Sequence, residues 1–149
     1  MRFMLLVKAN KNTEEGALPS AELIAEMGKF NEEMVKAGVL LAADGLQPSS
    51  KGARVRFSAS GGKRTVIDGP FTETKELIAG YWVIEAKSKE EAIEWAKRSP
   101  NPMGEGEEGE IEVRQVFEAA DFPAEILPPE AAEREQAMRE ALQSKGARP

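Results

Sequence analysis

Two stretches of this sequence are apolar on both sides of a strand, and that property sets what the rest of the chain must supply. In Arg2–Lys8 a period of two puts Phe3, Leu5 and Val7 on one face and Met4 and Leu6 on the other. In Ile78–Glu85 the same period puts Tyr81 and Val83 on one side and Trp82 and Ile84 on the other. A sheet with one wet face alternates apolar and polar residues, whereas strands of this kind ask for cover on both.

Amphipathic helices supply one cover. Ser20 is a helix N-cap, followed by Leu23, Met27, Phe30 and Met34 on one stripe, flanked by Ile24 and Val35, with Gly38 placed to end the helix. Ser88-Lys89-Glu90-Glu91 is a capping box, opening a second helix through Ala92, Ile93, Trp95 and Ala96 that stops at Ser99-Pro100. Val39–Ala43 reads as a strand closed by Asp44-Gly45. Ala53–Phe57 and Arg64–Ile67 read as a hairpin around Ser60-Gly61-Gly62, and Ile111–Phe117 as a last strand with Ile111, Val113 and Phe117 inward and Glu110, Glu112 and Arg114 outward. Ala9–Gly16 and Asn101–Gly109 read as loops. The predicted class is therefore α+β, a ferredoxin-like split βαβ with an inserted β-hairpin. Right-handed crossovers put both helices on one face of such a sheet. The other face then needs a second sheet, and in a chain of 149 residues a second copy is the source, which predicts a homodimer.

The segmentation is a domain over 1–122 and a helical extension over 123–149. After Leu127-Pro128-Pro129, residues Glu130–Gln143 are good helix formers, with Glu130/Arg134 and Glu135/Arg139 spaced as i,i+4 pairs. Ile126, Leu127, Met138 and Leu142 offer a narrow apolar seam, and Lys145–Pro149 is expected to be loose.

Composition excludes several functions. The chain has no cysteine and no histidine, which removes thiol nucleophiles, the commonest general base and the usual ligands for zinc. Of the net charge of −6, the five glutamates at 105, 107, 108, 110 and 112 supply −5 and the tail from Ala124 supplies −1; the remaining 16 acids and 16 bases cancel. No basic stripe is left for a phosphate backbone, so no nucleic-acid partner is expected. No apolar run is long enough to span a bilayer, and Met1-Arg2 leads into a strand without a signal-peptide pattern, so no membrane partner and a cytoplasmic location are expected.

The order Met1-Arg2-Phe3-Met4-Leu5-Leu6-Val7, Leu40-Leu41-Ala42-Ala43-Asp44-Gly45-Leu46-Gln47-Pro48, Asp68-Gly69-Pro70-Phe71 with Thr72-Glu73-Thr74-Lys75-Glu76, Gly80-Tyr81-Trp82-Val83-Ile84 and Ile111-Glu112-Val113-Arg114 resembles the DGPF branch of the YCII-related family. The resemblance covers roughly residues 1 to 118. It implies a ferredoxin-like domain that dimerises into an α+β barrel, a small-molecule site, and a genomic neighbourhood of extracytoplasmic-function sigma factors, which makes a sigma factor a candidate partner. Some YCII-related proteins have a His/Asp pair; with no histidine, this chain departs from that pattern.

The candidate chemistry therefore rests on carboxylates. Asp68 ends a strand beside a rigid turn, and Pro70 has no N–H to accept the usual Asp turn bond, so the carboxylate is expected to seek Phe71, a neighbouring strand or a ligand. Asp44 ends another strand in the same way. Both also read as plain turn caps, but if they face one cleft their coupling would raise one pKa. Tyr81 and Arg114 are candidates to orient an acidic or carbonyl-bearing ligand, against core filling for Tyr81 and a structural ion pair with a glutamate for Arg114. Lys75 is available to an anion, or else solvated. The glutamates at 105–112 lack the pattern of a calcium loop, and Gly61-Gly62 lacks a phosphate-binding fingerprint, so no metal and no cofactor are expected. The expected function is a homodimeric small-molecule binder with acid/base chemistry at Asp68 and Asp44; the alternative is a non-catalytic regulatory or interaction module.

Overall fold

A computed structural model describes residues 1–146. The elements are β1 (Arg2–Lys8), α1 (Lys11–Glu14), α2 (Ala21–Lys36), β2 (Leu40–Gly45), β3 (Ala53–Phe57), β4 (Arg64–Asp68), β5 (Ile78–Glu85), α3 (Lys89–Arg98), β6 (Ile111–Gln115) and α4 (Pro129–Gly146). The fold is α+β. Four strands form an antiparallel sheet in the order β2-β5-β1-β6, and β3-β4 form a separate two-stranded sheet inserted between β2 and β5. The two strands with two apolar faces are the central pair.

On one face of the sheet the core closes. Phe3, Leu5 and Val7 of β1 and Trp82 and Ile84 of β5 are buried with Phe30 and Met34 of α2 and Ala92 and Trp95 of α3. Phe30 meets Trp82 edge-on with ring centroids 5.5 Å apart, and Trp95 at 6.5 Å. The Trp82 indole N–H would be an unpaired donor inside this core, and it donates to Asn31 Oδ1 at 2.8 Å. The helix ends follow the sequence: Ser20 accepts from the Leu23 amide, Ser88 from the Glu91 amide, and Gly38 takes φ +74 just past α2.

Two local differences from the sequence reading have physical causes. Residues 11–14 are a helical turn rather than loop, because Asn10 and Thr13 satisfy each other's backbone amides at 2.9 Å. β2 runs on through Asp44-Gly45, since both residues keep register with Tyr81 and Gly80 of β5. A Cβ at position 80 would lie 3.0 Å from the Asp44 carbonyl oxygen, so glycine there permits the close approach of the two strands.

The chain divides into two compact units, Met1–Gln115 and Val116 onward. In the second unit the Phe117 and Phe122 rings stack at 5.0 Å, and the Glu135–Arg139 pair forms at 2.6 Å. Phe117, Phe122, Ile126, Leu127, Glu135 and Arg139 line a cavity of about 270 Å³. Helix α4 begins at Pro129, where the missing N–H costs no hydrogen bond, and includes Lys145 and Gly146. Of the expected loose end, residues 147–149 lie outside the described residues.

Candidate functional site: the second face of the sheet

Helices α2 and α3 lie on one face of the sheet, and the register defines which side chains of the strands project from the other. Two rows of side chains cross it. Pairing of β2, β5, β1 and β6 aligns Asp44, Tyr81, Leu6 and Glu112 in the first row and Ala42, Val83, Met4 and Arg114 in the second. At about 4.8 Å per strand the rows are roughly 14 Å wide. Their centre is apolar and half-buried, as Met4, Leu6, Tyr81, Val83 and Ala42 all are. Their ends are polar.

At the β2 end the Tyr81 hydroxyl donates to Asp44 Oδ2 at 2.9 Å. This hydrogen bond, then the carboxylate's negative charge and then desolvation hold the Tyr81 pKa above its ordinary value of 10.0. The phenol therefore keeps its proton, which it shares in the hydrogen bond to Asp44. The second Asp44 oxygen has no partner among the described residues. At the β6 end the exposed Arg114 guanidinium lies 3.3 Å from Glu112 Oε2, the structural ion pair weighed as the alternative to a ligand-orienting role. Both ends of this pair are solvated, which leaves Arg114 weakly committed. Three of the five sequence candidates, Asp44, Tyr81 and Arg114, thus share one face.

Asp68 and Lys75 lie elsewhere. Asp68 ends β4 opposite Ala53, is exposed, and has no side-chain partner among the described residues. Lys75 is exposed on a single 3-10 turn, Thr74–Glu76. The turn after Asp68 is held by residues that no spacing argument singled out. The Phe71 amide donates to Ser49 Oγ at 3.0 Å, the Ser49 amide donates to Glu14 Oε2 at 3.0 Å, and the Ser49 hydroxyl donates to Glu14 Oε1. Gly69 donates to the Gly52 carbonyl, and a Cβ on Gly69 would lie 1.8 Å from the Ser49 carbonyl oxygen. Arg54 stacks 3.8 Å over the Phe71 ring. The Gly69–Pro70 peptide is cis. The one readable signal for this clamp was the Phe71 amide, a donor that needed an acceptor. Its acceptor is Ser49, and Glu14 lies 35 residues from Ser49 in the chain.

The YCII-related domain matches residues 1–120. The chain belongs to the YCII-related family. The matched region contains the whole four-stranded sheet, the inserted hairpin and every residue of the two rows. An uncharacterised protein of Rhizobium meliloti (strain 1021) is 28% identical to this chain over 102 residues, covering 68% of this chain and 81% of that protein. Among the described residues no three carboxylates cluster as a metal site, and no helix is long and apolar enough to cross a membrane.

Proposed function

We propose that two copies of this YCII-related protein pack their sheets face to face across the two rows, forming an α+β barrel that binds a small molecule between the Asp44–Tyr81 pair and Arg114. The observation that carries this reading is the Tyr81–Asp44 hydrogen bond, 2.9 Å long, at the edge of a half-buried apolar surface. An apolar centre with few convergent polar groups is the usual composition of a ligand site. The protonated phenol and the open Asp44 oxygen suit a carbonyl or carboxylic acid, with Arg114 as its anion contact. Proton abstraction by the open Asp44 oxygen would neutralise the carboxylate and release the Tyr81 hydroxyl from it to donate to the developing oxyanion, the reaction class such a pair serves. Asp68 and Lys75 stand outside this site because neither lies on the four-stranded sheet. The turn Asp68-Gly69-Pro70-Phe71 supports membership of the DGPF branch, as a structural clamp at the base of the hairpin.

Thermal-shift measurement against a panel of small carboxylic acids and their amides tests the reading. A compound that stabilises the wild type should lose that effect in Asp44→Asn and in Arg114→Gln. Stabilisation retained in both variants would contradict the site.

A further inference from the structure

The β3–β4 hairpin is exposed along nearly its whole length. Val55 and Val66 pair across it and remain 53% and 65% exposed, and Phe57 on the same face remains 58% exposed. An isolated two-stranded hairpin is marginal in water, so this one calls for a covering surface. It is also strongly basic. Residues 51–68 contain Lys51, Arg54, Arg56, Lys63 and Arg64 against the single acid Asp68. Among the described residues none of the five bases forms an ion pair. The chain contains one stretch of matching opposite charge, the five glutamates between 105 and 112, and no base lies among them.

Topology puts these two features at one end of the sheet and on opposite edges. The register brings Gly45 against Gly80, Lys8 against Ile78 and Val7 against Ile111, so the end of β2 and the starts of β5 and β6 lie together. The hairpin leaves from edge strand β2, and the acidic segment enters edge strand β6. When two such sheets face each other about a two-fold axis parallel to the strands, the edges exchange and the ends do not. Each hairpin then leaves its sheet at the end and edge where the other copy's acidic segment enters, and the juxtaposition occurs twice. A two-fold axis across the strands would instead carry the hairpin to the far end of the partner sheet, away from that charge.

We propose that the β3–β4 hairpin is an arm that docks on the acidic 105–112 segment of a second copy, fixing the dimer axis parallel to the strands. This rests on the face-to-face dimer proposed above. Electrostatic complementarity of this kind sets register and orientation more than raw affinity, and it weakens with salt.

The test is the dimer dissociation constant, read from mass by light scattering over a dilution series of the full chain. Arg64→Glu, paired with Phe57 on the Val55–Val66 face, should raise it roughly tenfold, and Glu105→Arg with Glu108→Arg should do the same, through loss of attraction and added repulsion. Combining the two sets of changes should return it to near the wild-type value. A dimer indifferent to either reversal overturns the arm and leaves the face-to-face dimer standing; a wild-type chain that is monomeric throughout overturns both. A second measurement does not depend on affinity. The chain has no native cysteine, so a mixture of Arg64→Cys and Glu107→Cys chains should form a mixed disulfide under mild oxidation, and failure to cross-link would overturn the arm.

Discussion

Replacing Glu14 by alanine should open the turn at residues 69–71 while leaving the sheet core nearly intact. Glu14 accepts two hydrogen bonds from Ser49, one from its amide at 3.0 Å and one from its hydroxyl. The same hydroxyl accepts from the Phe71 amide at 3.0 Å. Hydrogen bonds to an ionised acceptor contribute about 1.5–3 kcal/mol each in net terms. Here both are partly exposed, water replaces part of the loss, and about 2 kcal/mol for the pair is the working figure. Hydrogen exchange at the Phe71 amide reads the opening directly. A loss of about 2 kcal/mol corresponds to roughly thirtyfold faster exchange if that amide exchanges by local opening. Denaturant unfolding followed by Trp82 and Trp95 should move less, because both indoles sit in the core formed by β1, β5, α2 and α3, which the clamp does not touch. Ser49→Ala should reproduce most of the effect, and the double variant should cost less than the sum of the two, since they remove the same contacts. An unchanged Phe71 exchange rate in Glu14→Ala would refute the clamp.

The chain's single tyrosine makes the Asp44–Tyr81 pair separately observable. The phenolate absorbance should titrate above the ordinary tyrosine value in the wild type and move down toward it in Asp44→Asn. Because the folded-state pKa is raised, the stability from this bond is fully present below the unfolded tyrosine value and is lost as pH rises through the folded one. Equal midpoints in the two proteins would contradict the pairing. Gly69→Ala should destabilise by about 1–3 kcal/mol in denaturant titration, because its Cβ meets the Ser49 backbone and not a movable side chain. Gly28→Ala, on the exposed side of α2 with nothing within 4 Å of the added carbon, should stabilise by about 0.5–1 kcal/mol in the same assay.

Much of the fold was legible because hydrophobic period and capping agree along the chain. β1 and β3 have the expected bounds, and Ser20 and Ser88 cap the two helices over the sheet. β1 and β5, the strands read as apolar on both faces, are the central pair of the sheet. The end of β2 was read two residues early, with Asp44-Gly45 closing the strand where they are its last two residues. An Asp-Gly pair reads as a turn from local chemistry, but pairing with Tyr81 and Gly80 keeps it in the ladder, where its side chain lies on the second face. Tertiary pairing overrode turn propensity there. Asp68 attracted attention because Pro70 denies it the usual bond, yet the structural need lay with the Phe71 amide, and the side chains that meet it come from distant segments. Contacts of that range have no periodic signature. Arg114 and Glu112 were readable as a pair from their alternation on one strand face.

Whether a second copy covers the second face of the sheet is read directly from the mass of the protein in solution. Light scattering on the purified chain at micromolar concentration should return about twice the chain mass of 16.2 kDa. Leu6→Glu, which puts a charge in the middle of the first row opposite Tyr81, should return the single-chain mass while keeping the wild-type far-ultraviolet circular dichroism. A wild-type chain that runs at 16.2 kDa, or a Leu6→Glu variant that stays dimeric, would contradict the claim that a second copy covers this face.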